Sequence, residues 1–152
     1  MNKLLVVAFA CAVRLSAQSG ITFSLSTPKE PTKFGWKVGT GPVFVLTVKK
    51  SDPRPVDMFT FEVVDAEGNV KCRYYRINEN NVAPVIEADA TEWKTYPFLG
   101  DTTADMVLSV RNPKVVFAGE DDPIVNQRNA DIKAGRKFKL WEAVGPPKQT
   151  DK

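Results

Sequence analysis

Phe59-Thr60-Phe61-Glu62-Val63-Val64-Asp65, then Ala66-Glu67-Gly68-Asn69, then Val70-Lys71-Cys72-Arg73-Tyr74-Tyr75-Arg76 is the stretch on which the reading of this chain turns. Apolar and polar residues alternate along both arms, the period of two that puts one face of a strand on a core and the other in solvent. Glycine and asparagine between the arms tolerate the positive φ of a tight turn, so the stretch predicts a β-hairpin. Upstream, Ile21-Thr22-Phe23-Ser24-Leu25-Ser26 alternates in the same way, and Val43-Phe44-Val45-Leu46-Thr47-Val48 is a β-branched run that reads as a well-buried strand. Pro28 and Pro31 end the first of these, because proline removes a ladder donor and restricts the residue before it. Gly35, Gly39 and Gly41 punctuate the loop that follows, and Lys49-Lys50-Ser51-Asp52-Pro53-Arg54-Pro55 turns the chain after the second strand.

Downstream the signals are weaker. Residues 78–105 hold an asparagine-rich loop, a short apolar Val85-Ile86, room for a helical turn over 88–93, and the aromatic stretch Trp93-Lys94-Thr95-Tyr96-Pro97-Phe98. Met106-Val107-Leu108-Ser109-Val110 and Val115-Val116-Phe117-Ala118 are expected as two strands separated by a turn at Arg111-Asn112-Pro113. Glu120-Asp121-Asp122-Pro123 reads as another turn and Lys137-Phe138-Lys139-Leu140-Trp141 as the last strand, with residues 145–152 a disordered tail. There is no long stretch of helical period, no internal repeat and no shift of composition. The expected fold is therefore mainly β: a single antiparallel immunoglobulin-like β-sandwich of seven or eight strands over residues 18–144.

Ahead of that domain, Met1-Asn2-Lys3 leads into the uncharged run from residue 4 to residue 13 and then into Leu15-Ser16-Ala17-Gln18. A basic start, a short apolar run and a small-residue exit form the layout of a secretory signal peptide, with cleavage expected after Ala17. Arg14 is unusual in that position, and Ala8-Phe9-Ala10-Cys11 follows too short a run for lipoprotein processing. The apolar run also falls short of the roughly 20 residues a membrane-spanning helix needs. Residues 1–17 carry Lys3 and Arg14 and no acid, so their removal lowers the formal charge from +3 to +1. A nearly neutral domain has no electrostatic footprint for nucleic acid. A secreted or periplasmic location would allow disulfides, but the mature chain keeps only Cys72, which alternates with apolar residues and reads as a small core side chain.

The chain contains no histidine. That excludes Ser-His-Asp and Cys-His catalysis and histidine-based zinc sites, leaving carboxylate-pair hydrolysis as the enzyme chemistry still open. The acids fall in turns or on outward strand positions, the pattern of solvated surface, and no cofactor or metal is expected. Glu120-Asp121-Asp122 lacks the ligand spacing of a calcium loop, and no Lys-Ser or Lys-Thr follows Gly35, Gly39 and Gly41 as a phosphate cradle requires. Lys71, Arg73 and Arg76, with Arg136, Lys137 and Lys139, put positive charge on two expected strands, where such charge usually guards an edge. Trp93, Tyr96 and Phe98 are the candidate binding residues: rings in an irregular stretch stack on sugars or anchor protein partners, or else close one end of a sandwich.

Residues 43–75 carry a resemblance. A strand, the link Ser51-Asp52-x-x-Pro55-Val56 and then Phe61-x-Val63-x-Asp65-x-x-Gly68-x-Val70 resemble immunoglobulin-like domains of the intracellular proteinase inhibitor type, the BsuPI-like family. Tyr74 and Tyr75 stand where that family has tryptophan, and Ile132-Lys133-Ala134-Gly135 approximates its later Leu-x-Pro-Gly turn. The likeness covers about a third of the chain and implies the sandwich fold. It also brings protease inhibition forward as a second function, although no reactive-loop residue is matched. The expected function is an exported, non-catalytic β-domain that binds a protein or glycan partner at the cell envelope. A histidine-free carboxylate hydrolase is the third alternative.

Overall fold

The computed structural model describes residues 15–18, 20–28, 44–96, 102–103 and 105–145. The elements in chain order are β1 (Leu15–Gln18), β2 (Ile21–Ser26), β3 (Val45–Lys50), β4 (Val56–Val64), β5 (Val70–Ile77), β6 (Glu92–Thr95), β7 (Ser109–Phe117), α1 (Pro123–Lys133) and α2 (Leu140–Val144). The fold is mainly β. Its strands form two antiparallel sheets, ordered β1-β2-β3-β6 and β5-β4-β7.

The hairpin forms as its sequence dictates. β4 and β5 pair from Met58 opposite Ile77 to Val64 opposite Val70. In the turn Gly68 takes φ +85°, which a side chain rarely adopts. The Asp65 carboxylate accepts from the N–H groups of Glu67 and Asn69 at 3.1 and 2.8 Å, fixing the turn from within.

The alternation of β2, β3 and β4 turns one row of each strand into a shared core. Ile21, Phe23, Leu46 and Val48 of the first sheet meet Phe59, Phe61, Val63 and Val110 of the second, all buried. Phe23 lies edge-on to Phe59 at 5.5 Å between ring centroids and tilted against Phe61 at 5.7 Å, geometries that aromatic quadrupoles favour. β4, at the centre of its sheet, is buried on both faces. Its other face contributes Met58 to a second cluster with Ile77, Val116, Val125 and Phe138, so α1 and the segment after it form a third layer.

That third layer corrects the sequence reading. Asp122 is the N-cap of α1, with φ −148° and its carboxylate accepting from the N–H groups of Ile124 and Val125, and Pro123 opens the helix. The chain leaves the helix through Gly135 at φ +72°. The expected last strand over 137–141 does not form: Phe138 is buried in the second cluster, and Leu140 starts the helix α2. The expected turn at Arg111-Asn112-Pro113 is instead an irregularity inside one strand, β7. Asn112 takes φ +50°, and the register against β4 slips between Thr60 and Glu62, a bulge that accommodates Pro113 on an edge strand. In place of a helical turn over 88–93 there is a short turn followed by β6, and β3 begins later and ends later than expected.

Residues 1–14 of the expected leader lie outside the described residues, as do residues 146–152 of the expected tail. Leu15, Ser16 and Gln18 of β1 pair with Phe23, Thr22 and Ile21 of β2, so the expected cleavage after Ala17 falls within a strand. Among the described residues, no helix is long and apolar enough to cross a membrane.

Candidate functional site

The third layer leaves a cleft of about 750 Å³ where the end of β5 and the loop behind it face the segment between α1 and α2. Its apolar lining comes from Ile77, Phe138 and Leu140, and its rim carries Arg76, Lys137 and Glu79. A second hollow of about 470 Å³ lies between α1 and α2, on another side of Phe138.

One buried ion pair positions these walls. Arg128 of α1 is fully buried, donating from Nη1 and Nη2 to the two carboxylate oxygens of Asp57 on β4 at 2.9 and 2.8 Å. The same guanidinium donates to the Asn78 carbonyl at 3.3 Å and to Asn129 Oδ1 at 3.0 and 3.1 Å. Asn78 in turn donates through Nδ2 to the carbonyls of Ala83 and Pro84. A planar fork that engages a carboxylate with both arms fixes orientation as well as distance. Helix, central strand and loop are therefore tied at one point beside the cleft. Asp57 also corrects the expectation that the acids form solvated surface, as does Asp122, which is 2 % exposed.

The cations of the rim differ in what they face. Arg136 is held by Asp131 through Nη2 and Nε at 2.8 and 3.1 Å, and that guanidinium keeps the Asp131 carboxyl below its ordinary value. Among the described residues, Arg76 and Lys137 are paired with no carboxylate, while Lys71 pairs with Asp65 and Arg73 with Glu62. Glu79 accepts from the Leu140 N–H at 3.4 Å. The cleft thus combines an apolar floor with an excess of positive charge at its mouth.

Of the aromatic binding candidates, the two that the structure describes, Trp93 and Tyr96, lie outside the lining of the cleft. Trp93 sits on β6, half-buried, edge-on to Phe59 at 5.3 Å, so its ring closes the core between the sheets. The Arg76 guanidinium lies 5.8 Å from the same ring and connects that closure to the mouth of the cleft. Tyr96 is half-buried just past β6, and Phe98 lies outside the described residues. Cys72 is half-buried against the core, where burial pushes its thiol up and away from the thiolate a nucleophile needs. In the acidic turn, Glu120 accepts from the Phe117 N–H, Asp121 from Asn126 and Asp122 from the start of α1, so each carboxylate serves a different donor. Among the described residues no group of three potential ligands gathers for a metal. On the outer face of the second sheet, Arg111, then burial working against it, then Arg73 and Asn112 act on Glu62, whose carboxyl lies below its ordinary value.

The chain matches no family model, no curated protein and no solved structure.

Proposed function

We propose that the protein is an exported, non-catalytic interaction domain that binds a protein partner in the cleft beside β5. The observation that carries this reading is the cleft itself: an apolar floor of Ile77, Phe138 and Leu140 under two cations, Arg76 and Lys137, that no carboxylate of the described chain satisfies. Such a surface anchors apolar side chains and selects among them by charge. A binding role is supported by the chemistry the chain lacks. It has no histidine, its free thiol is pushed up, and the carboxylates described above are engaged by arginines, lysines, asparagine amides or backbone N–H groups. Export is supported by the sequence of residues 1–17, and the finer assignment as an immunoglobulin-like sandwich by two antiparallel sheets that share one core.

A photoreactive amino acid placed at Lys137, with a second variant labelled at the exposed Lys49 of β3, tests the assignment in the exporting cell. A discrete cross-linked species from position 137 and none from position 49 is expected. Equal labelling from both positions, or none from 137 while the protein is folded and exported, overturns the cleft as the binding surface.

A further inference from the structure

β5 is one of the two edge strands of its sheet: it pairs with β4 on one side, and no strand pairs with its other side among the described residues. Every second N–H and C=O of an antiparallel edge points away from its neighbour, a row ready to accept another strand. The two halves of this edge are treated differently. Near the hairpin turn Lys71 and Arg73 are exposed and tied to Asp65 and Glu62, the usual guard against pairing with other chains. Past Tyr74 the charge is Arg76 alone, paired with no carboxylate among the described residues. Tyr75, Arg76 and Ile77 border the cleft, and the half-buried Leu140 and the exposed Ile132 provide apolar surface beside them, over the buried Phe138.

We propose that the cleft takes an extended segment of a partner protein as an added β-strand on β5, and that the segment alternates aliphatic with acidic residues. The inference rests on the binding role assigned to the cleft and names the class of ligand. Main-chain bonds to the edge at Tyr75–Ile77 would supply affinity, while alternate side chains supply specificity, because successive residues of a strand point to opposite sides. One set rests on Leu140 and Ile132, above the buried Ile77 and Phe138. The other meets Arg76, which pairs with Phe59 in the register and so lies on the opposite face of the strand from Ile77, while Lys137 stands at the rim of the cleft. Neither is paired with a carboxylate among the described residues, a charge that matches acidic side chains and repels a basic strand. The size agrees: a cleft of about 750 Å³ falls within the range of pockets that enclose a small ligand, which corresponds to a few residues of extended chain.

The test uses the full domain labelled with 15N and the hexapeptide acetyl-(Glu-Val)3-amide. Saturable shifts at Tyr75–Ile77 and at residues 138–140 are expected. The lysine counterpart, acetyl-(Lys-Val)3-amide, should bind at least about tenfold more weakly, and so should the acidic peptide N-methylated at alternate residues, which keeps its side chains and loses its donors. The paired reversal Arg76→Glu with Lys137→Glu should invert the preference between the two peptides while leaving the remaining cross-peaks in place. Equal affinity for the N-methylated peptide overturns strand addition, and equal affinity for the lysine peptide overturns the acidic class. Absence of binding by the acidic peptide overturns the inference as a whole. In the last case a cross-link from position 137 would still sustain the binding role, so the two readings fail separately. Concentration-dependent dimerisation in sedimentation, broken by Lys137→Glu, would assign the edge to a second copy of this chain and overturn it as well.

Discussion

Arg128 shows how much of this molecule depends on single side chains. Taking a charge out of water is costly, and here the cost is offset by a two-armed contact with Asp57 and by the Asn78 carbonyl and Asn129 Oδ1. Arg128→Met removes one partner and leaves the Asp57 carboxylate buried without its counter-charge, so urea unfolding should show a loss of about 3–5 kcal/mol. Arg128→Met combined with Asp57→Leu removes both charges and should recover most of that loss; an equally unstable double variant would show that the pair is not the cause. Asp122 argues differently. Burial pushes its carboxyl up, but a 2.7 Å contact from Lys114 Nζ and the N–H groups of Val125 and Ile124 outweigh that and hold it below its ordinary 3.8. A carboxyl lowered on folding contributes stability that is complete above the ordinary value and is lost as pH falls through the lower folded value. Asp122→Ala should therefore cost about 1–2 kcal/mol at pH 7, and the gap from the parent should narrow as the pH falls below 3.8. A gap that stays constant between pH 7 and pH 2.5 would show that the ionised cap is not what the helix uses.

At the scale of elements, what the sequence reveals depends on whether side-chain chemistry and side-chain position agree. β2 is legible because its apolar residues face the core at a period of two, and β4 and β5 because the alternation of their sequences flanks a turn that names its own geometry. α1 is not legible, since of its residues only Val125 and Arg128 are buried. The second inward position is an arginine, so the apolar recurrence that announces a helix is missing. The signal that was present lies at its start, where Asp122 followed by Pro123 is as good an N-cap as it is a turn. The alternation over 137–141 misleads for the opposite reason: Phe138 belongs to the second core, while Leu140 opens a helix and Trp141 is 62 % exposed. The hairpin permits a direct test of its turn. Gly68 has open space where a Cβ would sit, so Gly68→Ala meets only the strain of φ +85° and should lower stability by about 1 kcal/mol. Gly68→Asn should lower it less, because asparagine tolerates that region. Thermal melts of the two variants check the order, and equal losses would place the cost in something other than backbone strain.

The molecule as a whole places its candidate site where no single stretch of sequence points. The cleft joins the end of β5 to the segment after α1, far apart along the chain, and the second of these was expected to be a strand. The aromatic residue that did stand out, Trp93, packs edge-on to Phe59 in the closure between the sheets, one of the two roles its sequence allowed. Distance along the chain hides one group, and packing claims the other. The N-terminus adds a constraint of its own. β1 covers the free edge of β2 and also touches β7 of the opposite sheet, so it closes one side of the core. Cleavage after Ala17 would leave only Gln18 of that strand, returning the edge of β2 to solvent with Ile21 and Phe23 beside it. The main-chain hydrogen bonds of this ladder, each contributing about 1 kcal/mol net, would be lost. A chain beginning at Gln18 should accordingly melt about 5–10 °C below one beginning at Leu15, with faster amide exchange confined at first to β2. Mass spectrometry of the protein recovered from its own cell gives the N-terminus that the cell makes. A mature chain that starts at Gln18 and melts with the longer one would show that β1 adds nothing to the folded domain. A large difference in melting would mean that processing at this point thins the first sheet at its outer edge, leaving β3 alone to pair with β2.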